Sequence, residues 1–79
     1  MKAMQVRLED SEDKVYRWTI RHTKATNLTL GCKPRQVQGW TIEDHEGYER
    51  FTEGNWHDLV PRFHAVAENY GLRPLTQVS

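Results

Sequence analysis

Alternating apolar and polar positions predict a β-hairpin at the start of the chain. The segments 4–8 and 14–22 both alternate with a period of two, which is the spacing of a strand with one buried face. Aromatic and β-branched residues in the second segment favour the same structure. The polar stretch 10–13 between the two segments is typical of a turn. The predicted inward positions are Met4, Val6, Leu8, Tyr16, Trp18 and Ile20.

Shorter elements are predicted for the middle of the chain. Residues 23–27 are predicted to be a polar connection, and residues 27–30 a short third strand that Gly31 closes. Residues 32–35 are predicted to form a loop, because Pro34 is unfavourable in a central strand and restricts the residue before it.

A second hairpin is predicted after that loop. The strand covers residues 38–43 and directs Trp40 towards the core. A turn at 44–47, in which Gly47 supplies a positive φ, leads to a returning strand at 48–52.

An amphipathic helix is predicted near the end of the chain. Its apolar positions follow one another at intervals of four and three residues, and they are Trp56, Val60, Phe63, Ala67 and Tyr70. Pro61 is unfavourable deep inside a helix, so we expect Asp58 to be the N-cap, with Asn55 as the alternative. Gly71 is predicted to end the helix in a Schellman motif, with Leu72 touching its last turn.

These elements predict an α+β fold, in which a four- to five-stranded antiparallel sheet carries one C-terminal helix packed on one face. Neither element can bury its apolar side alone, so the helix must cover one sheet face and leave the other open. A chain of 79 residues is expected to form a single small domain, residues 1–79.

Cysteine content and hydropathy indicate the compartment. Cys32 is the only cysteine and cannot form an internal disulfide, so nothing indicates an oxidising environment. No apolar run approaches the roughly 20 residues that span a membrane. We therefore expect a cytoplasmic protein that does not act at a membrane.

Charge is segregated along the chain, although the formal net charge is zero. Residues 1–40 carry about +4 and residues 41–79 about −4, and no acidic residue occurs from Lys14 to Ile42. Such segregation attracts partners of opposite charge in a salt-dependent way. It also permits self-association.

The first candidate site is basic. Its members are Arg7, Arg17, Arg21, Lys24, Lys33 and Arg35. The first three have the parity opposite to the core residues and should lie on the uncovered sheet face, and the others are predicted to lie in adjoining loops. The site could bind phosphates or an acidic protein surface. Alternatively, its arginines pair across strands with Glu9, Glu43 or Glu49.

The second candidate site is the acidic hairpin. Its members are Glu43, Asp44, Glu46, Glu49 and Glu53. It could dock on a basic protein or mimic a nucleic acid. The alternative is a hairpin whose charges are only solvated.

Catalysis and metal binding lack a sequence motif, and we predict no cofactor and no metal. His57 and His64 would lie two helical turns apart, about 10 Å, which is too far to bind one ion together. A small nuclease or toxin would require His22 or His45, or one of the helical pair, at an active site.

Three functional hypotheses follow from the sequence. The leading one is a non-catalytic protein-binding module that acts stoichiometrically through charged surfaces. Its partner would be a protein, and one candidate is a component of a nucleic-acid-handling complex, as for phage or mobile-element accessory inhibitors such as anti-CRISPR proteins. The second hypothesis is a small nucleic-acid-binding domain that uses the basic sheet face, and the third is the nuclease or toxin.

Overall fold

The computed structural model describes residues 3–28, 31 and 33–79, in which five antiparallel strands and one helix are found. The elements are β1 (Ala3–Glu9), β2 (Val15–Asn27), β3 (Arg35–Glu43), β4 (Glu49–Glu53), α1 (Trp56–Asn69) and β5 (Arg73–Pro74). The predicted α+β class is thereby confirmed. Within the described residues, no helix has the length and apolar character needed to cross a membrane.

The curled sheet has the strand order β4-β3-β2-β1-β5, and α1 covers one of its faces. The core forms where inward residues of the sheet meet the apolar stripe of the helix. Its largest fully buried side chains are Val6, Leu8, Trp18, Ile20, Ile42, Leu59 and Phe63. Trp18 and Phe63 meet edge to face, with ring centroids 5.8 Å apart. The inward parity predicted for the first hairpin is confirmed by this burial.

Two hairpin turns share one geometry. In each, an aspartate, Asp10 or Asp44, precedes a loop of three residues, and its carboxylate accepts backbone N–H groups two and four positions later. The last loop residue has positive φ, 64° at Asp13 and 85° at Gly47, as expected for a turn closed by a bulge. The positive φ predicted for Gly47 is thus confirmed.

The helix begins earlier than predicted. Asn55 is the N-cap, and its backbone N–H donates to the Asp58 carboxylate at 2.9 Å, which stabilises the first turn. Trp56 packs against Trp40, with ring centroids 5.0 Å apart, and this contact also holds the helix start. The prediction that Asp58 is the N-cap is therefore wrong, and Pro61 lies inside the helix.

The predicted end of the helix is confirmed. Gly71 has φ of 69°, and its N–H donates to the Glu68 carbonyl at 2.9 Å. The Leu72 N–H donates to the Ala67 carbonyl at 2.9 Å, which completes a Schellman motif. Beyond it, Arg73–Pro74 pairs with β1 as a short edge strand that the sequence did not predict.

The second strand is longer than predicted, and it forms an arm with β3. Residues 23–27 continue β2 without a break, so the prediction of a polar connection there is wrong. Residues 29, 30 and 32, including half of the predicted third strand, lie outside the described residues. In the described part of the chain, β1 pairs with β2 as far as Arg21, and β4 pairs with β3 from Gly39. Beyond these points, residues 24–27 and 35–38 form a two-stranded ribbon, which is here called the arm together with the described residues between its strands.

Candidate binding surface

The sheet face opposite α1, here called the open face, interleaves basic and acidic side chains. Arg21 lies at its centre and bridges two glutamates, with Nη1 3.4 Å from Glu43 and Nη2 2.5 Å from Glu49. The strand register explains this contact, because Thr19 is opposite Glu43 and Glu43 is opposite Glu49, so both acids fall beside Arg21 on one face. The alternative in which arginines pair across strands thus describes Arg21.

Two further arginines of the open face have acidic partners. Arg35 lies 3.5 Å from Glu53, and both side chains are more than half exposed. Arg73 lies 2.5 Å from Glu9 and 3.4 Å from Asp13. Exposed pairs of this kind contribute about 0–1 kcal/mol each. Their main consequence is therefore local neutralisation of the surface and not stability.

Arg7 and Arg17 differ from the other arginines of this face. They are directly opposite each other on β1 and β2, and both are exposed. Among the described residues, neither has an acidic group within salt-bridge distance. Like charges in directly opposed positions destabilise a sheet. The open face therefore concentrates its unneutralised charge at this pair.

The arm carries the remaining members of the predicted basic site. Lys24 lies on β2, Arg35 at the start of β3, and Lys33 in the connecting segment. Apart from the buried Val37, every arm residue whose burial is described is exposed. Neither lysine forms an ion pair with any residue that the structure describes. The molecule measures 50 × 21 × 18 Å along its principal axes. The arm extends from an otherwise small body.

The acidic hairpin is divided by the structure. Glu43, Glu49 and Glu53 are engaged with arginines of the open face, and Glu46 is exposed at the turn. Asp44 differs from the expectation of a surface carboxylate, because its side chain is fully enclosed. Three members of the predicted acidic site thus share the open face with Arg21 and Arg35 of the predicted basic site and form ion pairs with them.

Asp44 organises the contact between the hairpin turn and the end of α1. Its Oδ1 accepts the N–H groups of Glu46 and Tyr48, at 2.9 and 3.0 Å. Its Oδ2 accepts from Arg50 at 2.5 Å and from the Tyr70 hydroxyl at 2.7 Å. Burial opposes the charged form, but these donors outweigh it and lower the pKa of Asp44 to about 2. The same hydrogen bond raises the pKa of Tyr70 to about 12.

Three of the four histidines make structural contacts at separate places, and His57 is exposed on α1. His45 Nδ1 accepts from Trp18 Nε1 at 3.0 Å, and His64 Nε2 lies 2.9 Å from the Val78 carbonyl oxygen. His22 packs edge to face on Trp40, with ring centroids 5.2 Å apart. His22 is opposite Trp40, and His45 follows Trp40 by five residues along the chain. At the rise per residue of a β-strand, this offset places His22 and His45 about 17 Å apart.

One cavity was not predicted from the sequence. It has a volume of about 580 Å³ and lies where the arm meets the start of α1. Its lining residues are His22, Gln38, Trp40, Glu53, Gly54, Asn55, Trp56 and Asp58. Trp40 and Trp56 are only partly buried there, whereas Trp18 is 1% exposed. Their inward parity was visible in the sequence, but the point where the helix stops covering the sheet was not.

In comparisons with known proteins, no family model, no curated protein and no solved structure matches the chain. Within the described part of the chain, no group of three His, Cys, Asp or Glu side chains is placed to hold a metal ion. The features available for function are therefore the arm, the Arg7–Arg17 pair and the cavity.

Proposed function

We propose that the protein is a non-catalytic binding module that acts stoichiometrically and docks on the acidic surface of a protein partner through the arm. The observation that carries this proposal is the exposure of the arm. A two-stranded ribbon without a covering layer has little stability of its own and leaves strand edges open to pairing. An element of this kind gains its stabilisation from a partner. Lys24 and Lys33 provide the charge that would select an acidic one.

The distribution of acids favours a protein over a nucleic acid as the partner. Glu43, Glu49 and Glu53 line the open face beside the arm and would face the phosphates of a duplex laid across it. Dedicated nucleic-acid-binding domains are usually basic overall, whereas this chain has a formal net charge of zero. Interleaved charges suit a protein surface that carries both signs. The partner that we propose is a component of a nucleic-acid-handling complex, which the bound module would inhibit.

Nucleic-acid binding is the second candidate, and the shape of the arm favours it. A two-stranded ribbon fits the major groove of B-form DNA, and Lys24, Lys33 and Arg35 lie along this one. A titration of labelled single- and double-stranded DNA and RNA, at low and at physiological salt, separates the two candidates. We expect no tight binding. Tight binding that weakens steeply with salt, and that is lost in Lys24→Glu/Lys33→Glu, would replace the leading proposal with this one.

The leading proposal is tested by charge reversal on the arm. The wild type, Lys33→Glu and Lys24→Glu/Lys33→Glu are used to capture and crosslink proteins from a lysate. Arg62→Glu is the matched control for the single reversal, because Arg62 is exposed on α1 and forms no ion pair with a described residue. We expect a partner that is bound at one copy per module by the wild type and the control and is lost with both arm variants. Equal capture by all four proteins would refute docking through the arm.

A further inference from the structure

Arg7 and Arg17 lack the acidic partners that other arginines of the open face have. Three other arginines of this face, Arg21, Arg35 and Arg73, each lie within 3.5 Å of a carboxylate. Arg7 and Arg17 instead face each other across β1 and β2. Since this juxtaposition costs stability in the free protein, a ligand that relieves it gains binding energy.

Two acids lie diagonally from Arg17 by register, and both pair with other arginines. Glu43, which is opposite Thr19, lies 3.4 Å from Arg21. Glu9 lies two residues beyond Arg7 on β1 and diagonally from Arg17, because Glu9 is opposite Val15. Its Oε1 accepts instead from Arg73 Nε at 2.6 Å. Among the described residues, neither guanidinium group of the Arg7–Arg17 pair therefore has a carboxylate partner, and both can bind another anion.

The backbone around the pair is fixed, which limits the entropy that binding must cost. The Arg7 N–H donates to the Thr76 hydroxyl at 3.0 Å, and the Arg7 carbonyl accepts from the Leu75 N–H at 2.7 Å. The next opposed residues on the same face are Gln5 and Thr19, which are uncharged and can donate hydrogen bonds. Two guanidinium groups beside an amide and a hydroxyl match the acceptors of an oxyanion.

We infer that Arg7 and Arg17 form a receptor for an oxyanion, and that carboxylates of an acidic segment in the partner protein occupy it. The inference rests on the proposed function only for the source of the oxyanion. The receptor lies on β1 and β2 of the body, whereas the arm begins at Lys24. Failure of one site therefore leaves the other open to test.

The receptor is tested with inorganic phosphate as the probe. Backbone amide shifts of Gln5, Arg7, Arg17 and Thr19 are followed by NMR in the wild type, Arg17→Gln and the control Arg62→Gln, at constant ionic strength. We expect the shifts to saturate in the wild type and control, and the dissociation constant to rise about tenfold or more in Arg17→Gln. Without phosphate at low salt, Arg17→Gln should melt above the wild type because the repulsion is removed. Equal phosphate affinity in all three proteins would overturn the receptor.

The source of the oxyanion is tested with two polymers, a hexaglutamate peptide and an eight-residue oligothymidylate. Hexaglutamate binding that is lost in Arg17→Gln and kept in Lys24→Glu/Lys33→Glu supports the inference, whatever the fate of the arm. Binding of oligothymidylate alone, with the same dependence on Arg17, would keep the receptor and overturn the acidic protein segment as its occupant.

Discussion

Asp44→Asn is the substitution that best tests how much the enclosed Asp44 carboxylate contributes to folding stability. The Asp44 carboxylate is enclosed, accepts four hydrogen bonds and pairs with Arg50. Its pKa of about 2, against an ordinary value of 3.8, corresponds to about 2 kcal/mol of folding stability. A depressed pKa means that this contribution is complete above pH 3.8 and is lost as the pH falls through 2. An asparagine leaves the Arg50 guanidinium without its counter-charge, and we expect Asp44→Asn to lose about 2–4 kcal/mol at pH 7.

The assay is urea denaturation followed by tryptophan fluorescence at several pH values from 7 to 2. Because only the wild type can lose the contribution of this carboxylate, the stability difference between wild type and Asp44→Asn should shrink by about 2 kcal/mol between pH 5 and pH 2. Glu68→Gln is the matched control, since it removes the same charge from an exposed position of α1. A stability difference that stays constant with pH would refute the assigned role of Asp44.

Backbone geometry provides two further predictions. Asp13 has φ of 64° in its turn, and the equivalent residue of the second hairpin is Gly47. Asp13→Gly should therefore stabilise the protein by about 0.5–1 kcal/mol in thermal melts, and Gly47→Asp should destabilise it. A methyl group at Gly39 would overlap the Thr52 carbonyl oxygen and must displace β4, so Gly39→Ala should cost more than about 2 kcal/mol in urea denaturation. The neighbouring exposed Gln38→Ala should change stability by less than about 0.5 kcal/mol, and equal effects at the two positions would contradict the close approach.

The sequence predicted those parts of the fold in which one face is buried. Trp18 and Ile20 alternate with polar residues, and the same alternation is seen in their burial. The polar run 23–27 gave no such signal, because a ribbon that neither layer covers does not need apolar residues on one face. The sequence therefore predicts a connection at 23–27, where the structure has the end of β2. The start of α1 was missed for a different reason, since the Asp58 carboxylate and the Trp56–Trp40 contact stabilise a first turn that Pro61 alone argued against.

The sequence predicts which charged residues share a face of the sheet, but it does not predict which of them form ion pairs. Parity places Arg7, Arg17 and Arg21 together opposite the core, yet it does not say which of them meets an acid. That depends on register across three strands, which brings Glu43 and Glu49 to Arg21 and leaves Arg7 facing Arg17. A residue list from the sequence therefore overstates the free charge of the surface.

The register that opposes Arg7 to Arg17 cannot be relieved by sliding the strands. Val6 is opposite Trp18 and Leu8 is opposite Tyr16, and a slip of one residue would turn the apolar side chains of β1 towards solvent. The three-residue turn after Asp10 holds the same register from the end of the hairpin. Because packing and turn both maintain the register, a change of register cannot relieve the repulsion between Arg7 and Arg17. The positive charge of Arg7 and Arg17 therefore stays exposed on the folded sheet, and an anionic partner can neutralise it without altering the strand register.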